Sequence, residues 1–97
     1  MRRITKRDLQ AGIDRLNRIT GNPMTPWTRD EDDKMTANLG NYHLSQAYGG
    51  YCVHQMHNPG GGVNAPVTHG HIPARDCYER LHSFINGYEQ RTRDETP

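Results

Sequence analysis

Residues 41–56, NYHLSQAYGGYCVHQM, decide the fold of this 97-residue chain. Two runs of strand-forming residues flank Gly49 and Gly50, and a glycine pair in that place is typical of a two-residue hairpin turn. In the first run, Tyr42 and Leu44 alternate with polar residues, as in a strand that has one buried face. The stretch therefore predicts a β-hairpin with one side toward the core.

A third strand is expected after a second glycine cluster. Asn58 and the glycines at 60–62 predict a turn, because glycine takes positive φ angles without strain. Pro66 interrupts the strand signal that follows, and a proline favours a short strand or an edge position. The expected strands are 35–46, 51–56 and 63–68.

An amphipathic helix is expected before and after these strands. Thr5 is a candidate N-cap for the first helix, at about 5–20, and Gly21 followed by Pro23 marks its end. The second helix should begin near Pro73. The apolar stripes at helical spacing consist of Leu9, Ile13 and Leu16 in the first helix and of Cys77, Leu81, Phe84, Ile85 and Tyr88 in the second.

Together these elements predict an α+β fold with the order α-β-β-β-α in a single domain, 1–97. Both helices should pack on one face of a three-stranded antiparallel sheet, because two amphipathic stripes and one sheet face can then share a core. The other sheet face stays open for recognition in this arrangement. The ordered core is expected at about 4–89, and residues 90–97 are expected to fray.

The segment 22–34 is expected to be a loop, because it contains two prolines and the acidic run 30–33. Trp27 should fold back on the core, since a single indole is a large part of the apolar area of so small a chain. The acidic run lacks the spaced ligands and the turn glycine of a calcium loop. We predict a solvated turn there.

The overall charge gives no general attraction to nucleic acid, because 12 basic and 11 acidic residues leave a net charge of +1. Positive charge is concentrated in 1–21, where six basic residues stand against two acidic ones. Arg7, Arg15 and Arg18 lie opposite the apolar stripe of the first helix. A nucleic-acid interface on this face is the alternative hypothesis, beside the ordinary interpretation of a solvated helix surface.

The order α-β-β-β-α is also that of double-stranded-RNA-binding domains. Those domains place a lysine cluster at the start of the last helix, whereas this chain has HIPARD at 71–76. One arginine and one acid cannot replace that cluster, and a shared topology is not a function. RNA binding of that kind is not expected.

Composition also bears on the compartment of the protein. The sequence contains no apolar run that would suit a secretory signal or a transmembrane helix of about 20 residues. A soluble intracellular protein is therefore expected, with Cys52 and Cys77 as reduced thiols. Because apolar residues make up 32% of the chain, the core is small, and a homodimer would bury more apolar surface.

A metal site or a reactive thiol would make the protein an enzyme or a metalloprotein. The histidines at 54, 57, 69 and 71, with Cys52, include residue types that zinc prefers. His54 and His57 are an odd number of residues apart, however, and should point to opposite faces of a strand. Cys77 lies near a helix start, which can lower a thiol pKa, but such cysteines more often belong to the core. We predict no metal ligand, no catalytic residue, no cofactor and no enzymatic activity.

Tyrosines, histidines and glycine turns together predict a recognition surface on the open sheet face. Aromatic rings can stack on a planar ligand, imidazole and amide groups can hydrogen-bond to it, and glycine lets a ligand approach the backbone. The clusters do not form a Walker-type phosphate loop, which needs a lysine and a following helix. The predicted ligand-binding residues are Tyr42, His43, Tyr48, Gly49, Gly50, His54, Asn58, Gly60, Gly61 and Gly62.

Three stretches carry a resemblance to a known group of proteins: KRDLQAGIDRLNRITGNP (6–23), GNYHLSQAYGGYCVHQMHNPGGGV (40–63) and PARDCYERLHSFINGYE (73–89). Over about residues 4–88 the chain resembles small uncharacterised accessory proteins of tailed phages and prophages. The resemblance implies the cytoplasm of a host bacterium as the setting and a non-enzymatic role in counter-defence or host takeover. The expected partner is a host defence protein or a nucleotide-like small molecule. Binding to a membrane is not expected.

Overall fold

The computed structural model describes residues 3–68 and 70–95, with side chains up to residue 91. The helices and strands are α1 (Lys6–Thr20), β1 (Trp27–Arg29), β2 (Met35–Ala37), β3 (Tyr42–Ala47), β4 (Gly50–Met56), β5 (Val63–Asn64) and α2 (Ala74–Glu95). β3, β4 and β5 form an antiparallel sheet in that order, and β1 pairs with β2. The predicted α+β fold with a three-stranded sheet is confirmed.

Both ends of α1 are closed by the residues that the sequence indicated. The Thr5 hydroxyl accepts a hydrogen bond from the Asp8 N–H at 3.2 Å, and the Asp8 carboxylate accepts one from the Thr5 N–H at 2.8 Å. Gly21 ends the helix with a φ of 71°, and its N–H donates to the Arg18 carbonyl. These bonds satisfy backbone groups that have no partner inside the helix.

Both helices pack on the same side of the β3–β4 hairpin. α1 contacts α2 and β3, and α2 contacts β4. The buried core cluster consists of Ile4, Leu9, Ile13, Leu16, Tyr42, Val53, Cys77, Leu81 and Ile85. The predicted apolar stripes of the two helices therefore share a core with one sheet face.

The hairpin turn lies one residue earlier than predicted. Ala47 pairs with Gly50, so the two turn residues are Tyr48 and Gly49, with φ angles of 54° and 74°. Positive φ at both central residues matches the right-handed twist of the flanking strands. Gly50 meets a different requirement, because a Cβ atom there would lie 3.0 Å from both the backbone N and O of Ile72.

The segment predicted as a loop at 22–34 contains β1, and the prediction was wrong there. β1 and β2 form a hairpin of three-residue strands, which are too short to show an alternating pattern in the sequence. The acidic run between them is the expected turn: the Asp30 carboxylate accepts hydrogen bonds from the N–H groups of Asp32 and Lys34, both at 2.9 Å.

Trp27 lies outside the core, which corrects the expectation that it folds back on it. Its side chain is 38% exposed. A Cβ atom at Gly61 would lie 2.8 Å from the indole ring, so the ring rests on the backbone of the second glycine cluster. The hairpin β1–β2 therefore contacts this glycine cluster through Trp27.

The last two elements differ in length from the prediction. β5 ends at Asn64, two residues before Pro66, which cannot donate a ladder hydrogen bond. α2 continues to Glu95, so residues 90–95, which were expected to fray, are helical, and residues 96 and 97 lie outside the described range. Neither of the two described helices is long and apolar enough to cross a membrane.

Candidate functional site

The sheet face away from the helices carries polar side chains, but it is only partly open, which corrects the prediction: Cys52 on this face is 1% exposed and is covered by Thr68. His43 pairs with His54, and Ser45 pairs with Cys52, so these four side chains lie on one face. Directly paired residues of antiparallel strands point to the same side of the sheet. Their alternating neighbours, among them Leu44, point into the core.

A continuous row of aromatic rings crosses this face. The ring centroids of His43 and His54 are 5.7 Å apart, and those of His54 and His71 are 6.1 Å apart. Tyr48, in the hairpin turn, stands 6.1 Å from His71. All three contacts are edge-to-face, the arrangement that aromatic pairs favour. We call His43, His54, His71 and Tyr48 the ring row.

His71 reaches the ring row because the chain returns to β4 before α2 begins. Tyr51 and Ile72 exchange backbone hydrogen bonds of 2.7 and 2.9 Å, which fix this segment beside the strand. The Ser45 hydroxyl and His71 Nε2 are hydrogen-bonded at 2.9 Å, and this bond orients the imidazole. The predicted ligand set did not include His71, because no local pattern shows which strand a single residue will join.

Two histidines of the ring row, His43 and His54, favour the neutral form. Burial lowers the pKa of His43, and the nearby His54 lowers it further. Burial also lowers the pKa of His54, with a second contribution from His71. A histidine has an ordinary pKa of about 6.5, so a lowered value leaves these rings uncharged at neutral pH. Each neutral ring then offers one donor and one acceptor nitrogen.

The structure brings together three of the predicted ligand-binding residues, His43, Tyr48 and His54. Tyr48 is 99% exposed, whereas both histidines are half-buried. Tyr42 has to be removed from the proposed surface. It is 7% exposed, lies in the core cluster and meets Phe84 with ring centroids 6.2 Å apart.

The second glycine cluster does not offer free backbone donors to a ligand. The Asn58 side-chain oxygen accepts hydrogen bonds from the N–H groups of Gly60 and Gly62, at 3.0 and 2.9 Å. The Gly61 N–H donates to the Asn58 carbonyl at 3.0 Å. All three glycine N–H groups are therefore used inside the loop.

The two glycine turns do not converge on one site, which corrects the predicted surface. Tyr48 and Gly49 precede β4, and the cluster at 58–62 follows it, so a seven-residue strand separates them. At about 3.3 Å per residue, such a strand places its two ends roughly 20 Å apart. Asn58, Gly60, Gly61 and Gly62 are thus loop residues beside Trp27 and not part of the ring row.

The two thiols are buried. The Cys52 sulfur accepts a hydrogen bond from the Thr68 hydroxyl at 3.1 Å. Burial raises the pKa of Cys77 to about 11, with a smaller contribution from Cys52. Cys77 lies in the core cluster, as its position in the apolar stripe predicted, and desolvation of the thiolate outweighs any lowering of its pKa by the start of α2.

The described residues contain no group of three or more His, Cys, Asp and Glu side chains that could hold a metal ion. His57 lies apart from the ring row, with Nδ1 3.2 Å from the Asn64 side-chain nitrogen. His69, another candidate ligand in the sequence, lies outside the described residues.

The basic face of α1 is partly neutralised by α2. Arg15 forms an ion pair of 2.5 Å with Glu89, and the two side chains are 43% and 30% exposed. Arg7 and Arg18 are exposed. A groove of about 270 Å³ between the helices is lined by Asp8, Ala11, Gly12, Arg15, Arg18, Tyr78 and His82. The three arginines therefore do not form a continuous cationic surface.

Comparisons with known proteins add no relative. No family model matches the chain, and searches of curated proteins and of solved structures give no significant match.

Proposed function

We propose that this protein is a non-enzymatic binding protein that holds a planar, nucleotide-like ligand against the ring row. The observation that carries the proposal is the unbroken series of ring contacts from His43 through His54 and His71 to Tyr48. A nucleobase could stack on the exposed Tyr48 ring, because stacking on aromatic side chains tolerates any base.

The chemistry of the ring row suits an uncharged planar group. Histidines with lowered pKa values add hydrogen-bond donors and acceptors without adding charge. The Ser45 hydroxyl, fixed by its hydrogen bond to His71, lies on the same face. These groups could read the edge of a base while Tyr48 covers its plane.

The resemblance to small tailed-phage proteins supports a setting for this binding. In the cytoplasm of an infected bacterium, such a protein would sequester a nucleotide signal of the host and so act in counter-defence. A host defence protein is the other partner that this setting suggests. The small ligand is favoured here because the ring row consists of groups that recognise bases.

The proposal is tested by calorimetric titration with mononucleotides and dinucleotides, of which adenosine monophosphate is the first. We expect the Tyr48→Ala/His54→Ala double variant to lose at least about tenfold in affinity, since stacking contributes about 1–3 kcal/mol per base. Circular dichroism should show an unchanged fold, because Tyr48 is exposed and His54 lies outside the core cluster.

A matched control is available on the opposite side of the molecule. Tyr78 and His82 form a second tyrosine–histidine ring pair, with centroids 4.2 Å apart, in the groove between the helices. The Tyr78→Ala/His82→Ala variant should retain nucleotide affinity. Loss of binding in this variant alone, or no nucleotide binding by the unaltered protein, would reject the ring row as the site.

Nucleic-acid binding through Arg7, Arg15 and Arg18 receives less support. Glu89 engages Arg15, and Asp8 lines the same groove, so the local field is mixed. If that interface operated, affinity for DNA would fall steeply with salt and would be lost on neutralising these three residues.

A further inference from the structure

A cavity lies beside the hairpin turn that carries Tyr48. Its volume is about 460 Å³, and its lining residues are Arg3, Ile4, Thr5, Lys6, Gly49, Tyr51, Pro73 and Ala74. Its walls come from the N-terminal segment, the hairpin turn and the start of α2. We call it the N-terminal cavity.

The charged side chains that line the N-terminal cavity have one sign. Arg3 and Lys6 contribute two cations, and no acidic side chain is found among the described residues that line it. Two acids lie close by along the chain. Asp8 has its carboxylate in the α1 capping box, bonded to Thr5, and lines the groove between the helices, and Asp76 follows Ala74 by two residues in the first turn of α2. Two cations that share a pocket repel each other, and a bound anion relieves that repulsion.

We infer that the N-terminal cavity binds a phosphate group. Arginine and lysine are the side chains that most often bind phosphate, the first through a planar fork and the second as a point charge. The volume exceeds what a single phosphate needs, so a di- or polyphosphate also fits. The inference rests on the cavity and its two cations, and the hairpin turn offers a link to the ring row.

This inference deepens the proposed function and rests on it where it names the ligand. Tyr48 belongs to the ring row, and its neighbour Gly49 lines the cavity. A nucleotide whose base stacks on Tyr48 could therefore direct its phosphates past the turn toward Lys6. The ligand class becomes a phosphorylated nucleoside rather than a free base.

Inorganic pyrophosphate is the first probe, because it has no planar group and tests the cavity without the ring row. Titration followed by two-dimensional amide NMR should shift the signals of Gly49, Tyr51 and Ala74. The Arg3→Gln/Lys6→Gln variant should lose at least about tenfold in pyrophosphate affinity. The Arg29→Gln/Lys34→Gln variant removes the same charge from the exposed β1–β2 hairpin and should bind within about twofold of the unaltered protein.

A second variant tests the cavity independently in case Arg3→Gln/Lys6→Gln does not fold. Ala74→Glu places a carboxylate in the cavity at the first turn of α2, where an acid is favourable for the helix, and should abolish pyrophosphate binding. Equal weakening in the two charge variants, or no displacement of signals by pyrophosphate, would overturn the inference.

Adenosine diphosphate is the second probe: Tyr48→Ala should weaken its binding but leave pyrophosphate binding intact. If pyrophosphate binds and adenosine diphosphate is insensitive to Tyr48→Ala, the cavity stands and the ring-row proposal fails.

Discussion

Gly50 is the residue that allows His71 to reach the ring row. The returning segment passes so close that a Cβ atom at position 50 would meet three backbone atoms, at 3.0, 3.0 and 3.1 Å. A closely packed backbone cannot move aside as the end of a flexible side chain can. We expect Gly50→Ala to lower the free energy of unfolding by about 1–3 kcal/mol and to weaken nucleotide binding, measured by urea denaturation and calorimetry.

Gly87→Ala is the matched control for this substitution. Gly87 lies within α2, and a Cβ atom there would meet nothing within 4 Å. Alanine in a helix interior is more favourable than glycine, so stability should rise by about 0.5–1 kcal/mol. If Gly50→Ala lowered the free energy of unfolding by no more than the amount by which Gly87→Ala changes it, the packing argument would be contradicted.

Asn17 links α1 to the free edge of β3. Its side chain accepts a hydrogen bond from the Tyr42 N–H at 2.8 Å and donates one to the Tyr42 carbonyl at 2.9 Å. Asn17 is 1% exposed, so these two bonds are shielded from solvent. Asn17→Ala should therefore cost about 2–4 kcal/mol of unfolding free energy, because two buried backbone groups lose their partners.

Urea denaturation measures this cost, and Gln10→Ala serves as the comparison. Gln10 is an exposed α1 residue whose side chain donates one hydrogen bond to Asp14. Its replacement should change stability by less than about 0.5 kcal/mol. Similar effects at both positions would mean that the edge of β3 does not depend on Asn17.

Among the elements, the loop at 58–62 is closed by hydrogen bonds to one residue, Asn58. The Asn58 carbonyl and side-chain oxygen accept hydrogen bonds from all three glycine N–H groups, and Trp27 rests on Gly61. Asn58→Ala should destabilise this exposed loop by about 0.5–1.5 kcal/mol. Because the chain has one tryptophan, its fluorescence reports the change directly: we expect a red-shifted emission and stronger quenching by acrylamide.

Nucleotide affinity should not change in Asn58→Ala, because this loop lies at the other end of β4 from Tyr48. Reduced affinity with normal tryptophan emission would place the second glycine cluster back in the site.

The face that carries the ring row should make folding sensitive to pH. The pKa values of His43 and His54 are lowered in the folded protein, so the unfolded chain binds more protons at mildly acidic pH. The resulting stability is complete above about pH 6.5, the unfolded value, and is lost as the pH falls through the folded values. We expect a smaller free energy of unfolding at about pH 5 than at about pH 7.5.

A double variant, His43→Gln/His54→Gln, should lose less stability over this range. His82 in the helix groove also has a lowered pKa, from burial and then Arg15, so part of the dependence should remain. A pH dependence identical in the double variant and the unaltered protein would assign the effect to groups outside the ring row.

At the scale of the whole molecule, local sequence signals specified the helices and the long hairpin. The capping hydrogen bonds of Thr5, Asp8 and Gly21 join residues within about one helical turn of each other. Their roles could therefore be predicted from the local sequence. The alternation around Leu44 also indicated which side of β3 is buried. The same alternation places Tyr42 on the buried side with Leu44. The prediction that Tyr42 belongs to the ligand-binding surface did not take this into account.

The remaining errors concern contacts between distant parts of the chain. His71 joins the ring row through the bridge between Ile72 and Tyr51, about twenty residues apart in sequence. Trp27 meets Gly61 across a still longer separation in sequence. Composition and periodicity describe a residue's immediate neighbours, so pairings of this kind are decided by the packing of the complete fold. The candidate site was therefore predicted only in part.

The two thiols offer a test of how the whole molecule opens. Cys52 and Cys77 are 1% and 0% exposed, and burial raises the pKa of Cys77 to about 11. A thiol reagent attacks the accessible thiolate, so neither cysteine should react in the native protein at about pH 8. Under increasing urea, both should become labelled with the same midpoint as the loss of circular dichroism, because the core around Cys77 and the sheet face that buries Cys52 should unfold together. A Cys77→Ala variant isolates Cys52, and its labelling well below that midpoint would mean that the segment around Thr68 opens first. That segment leads to His71, so local opening there would also disassemble the ring row before the core unfolds.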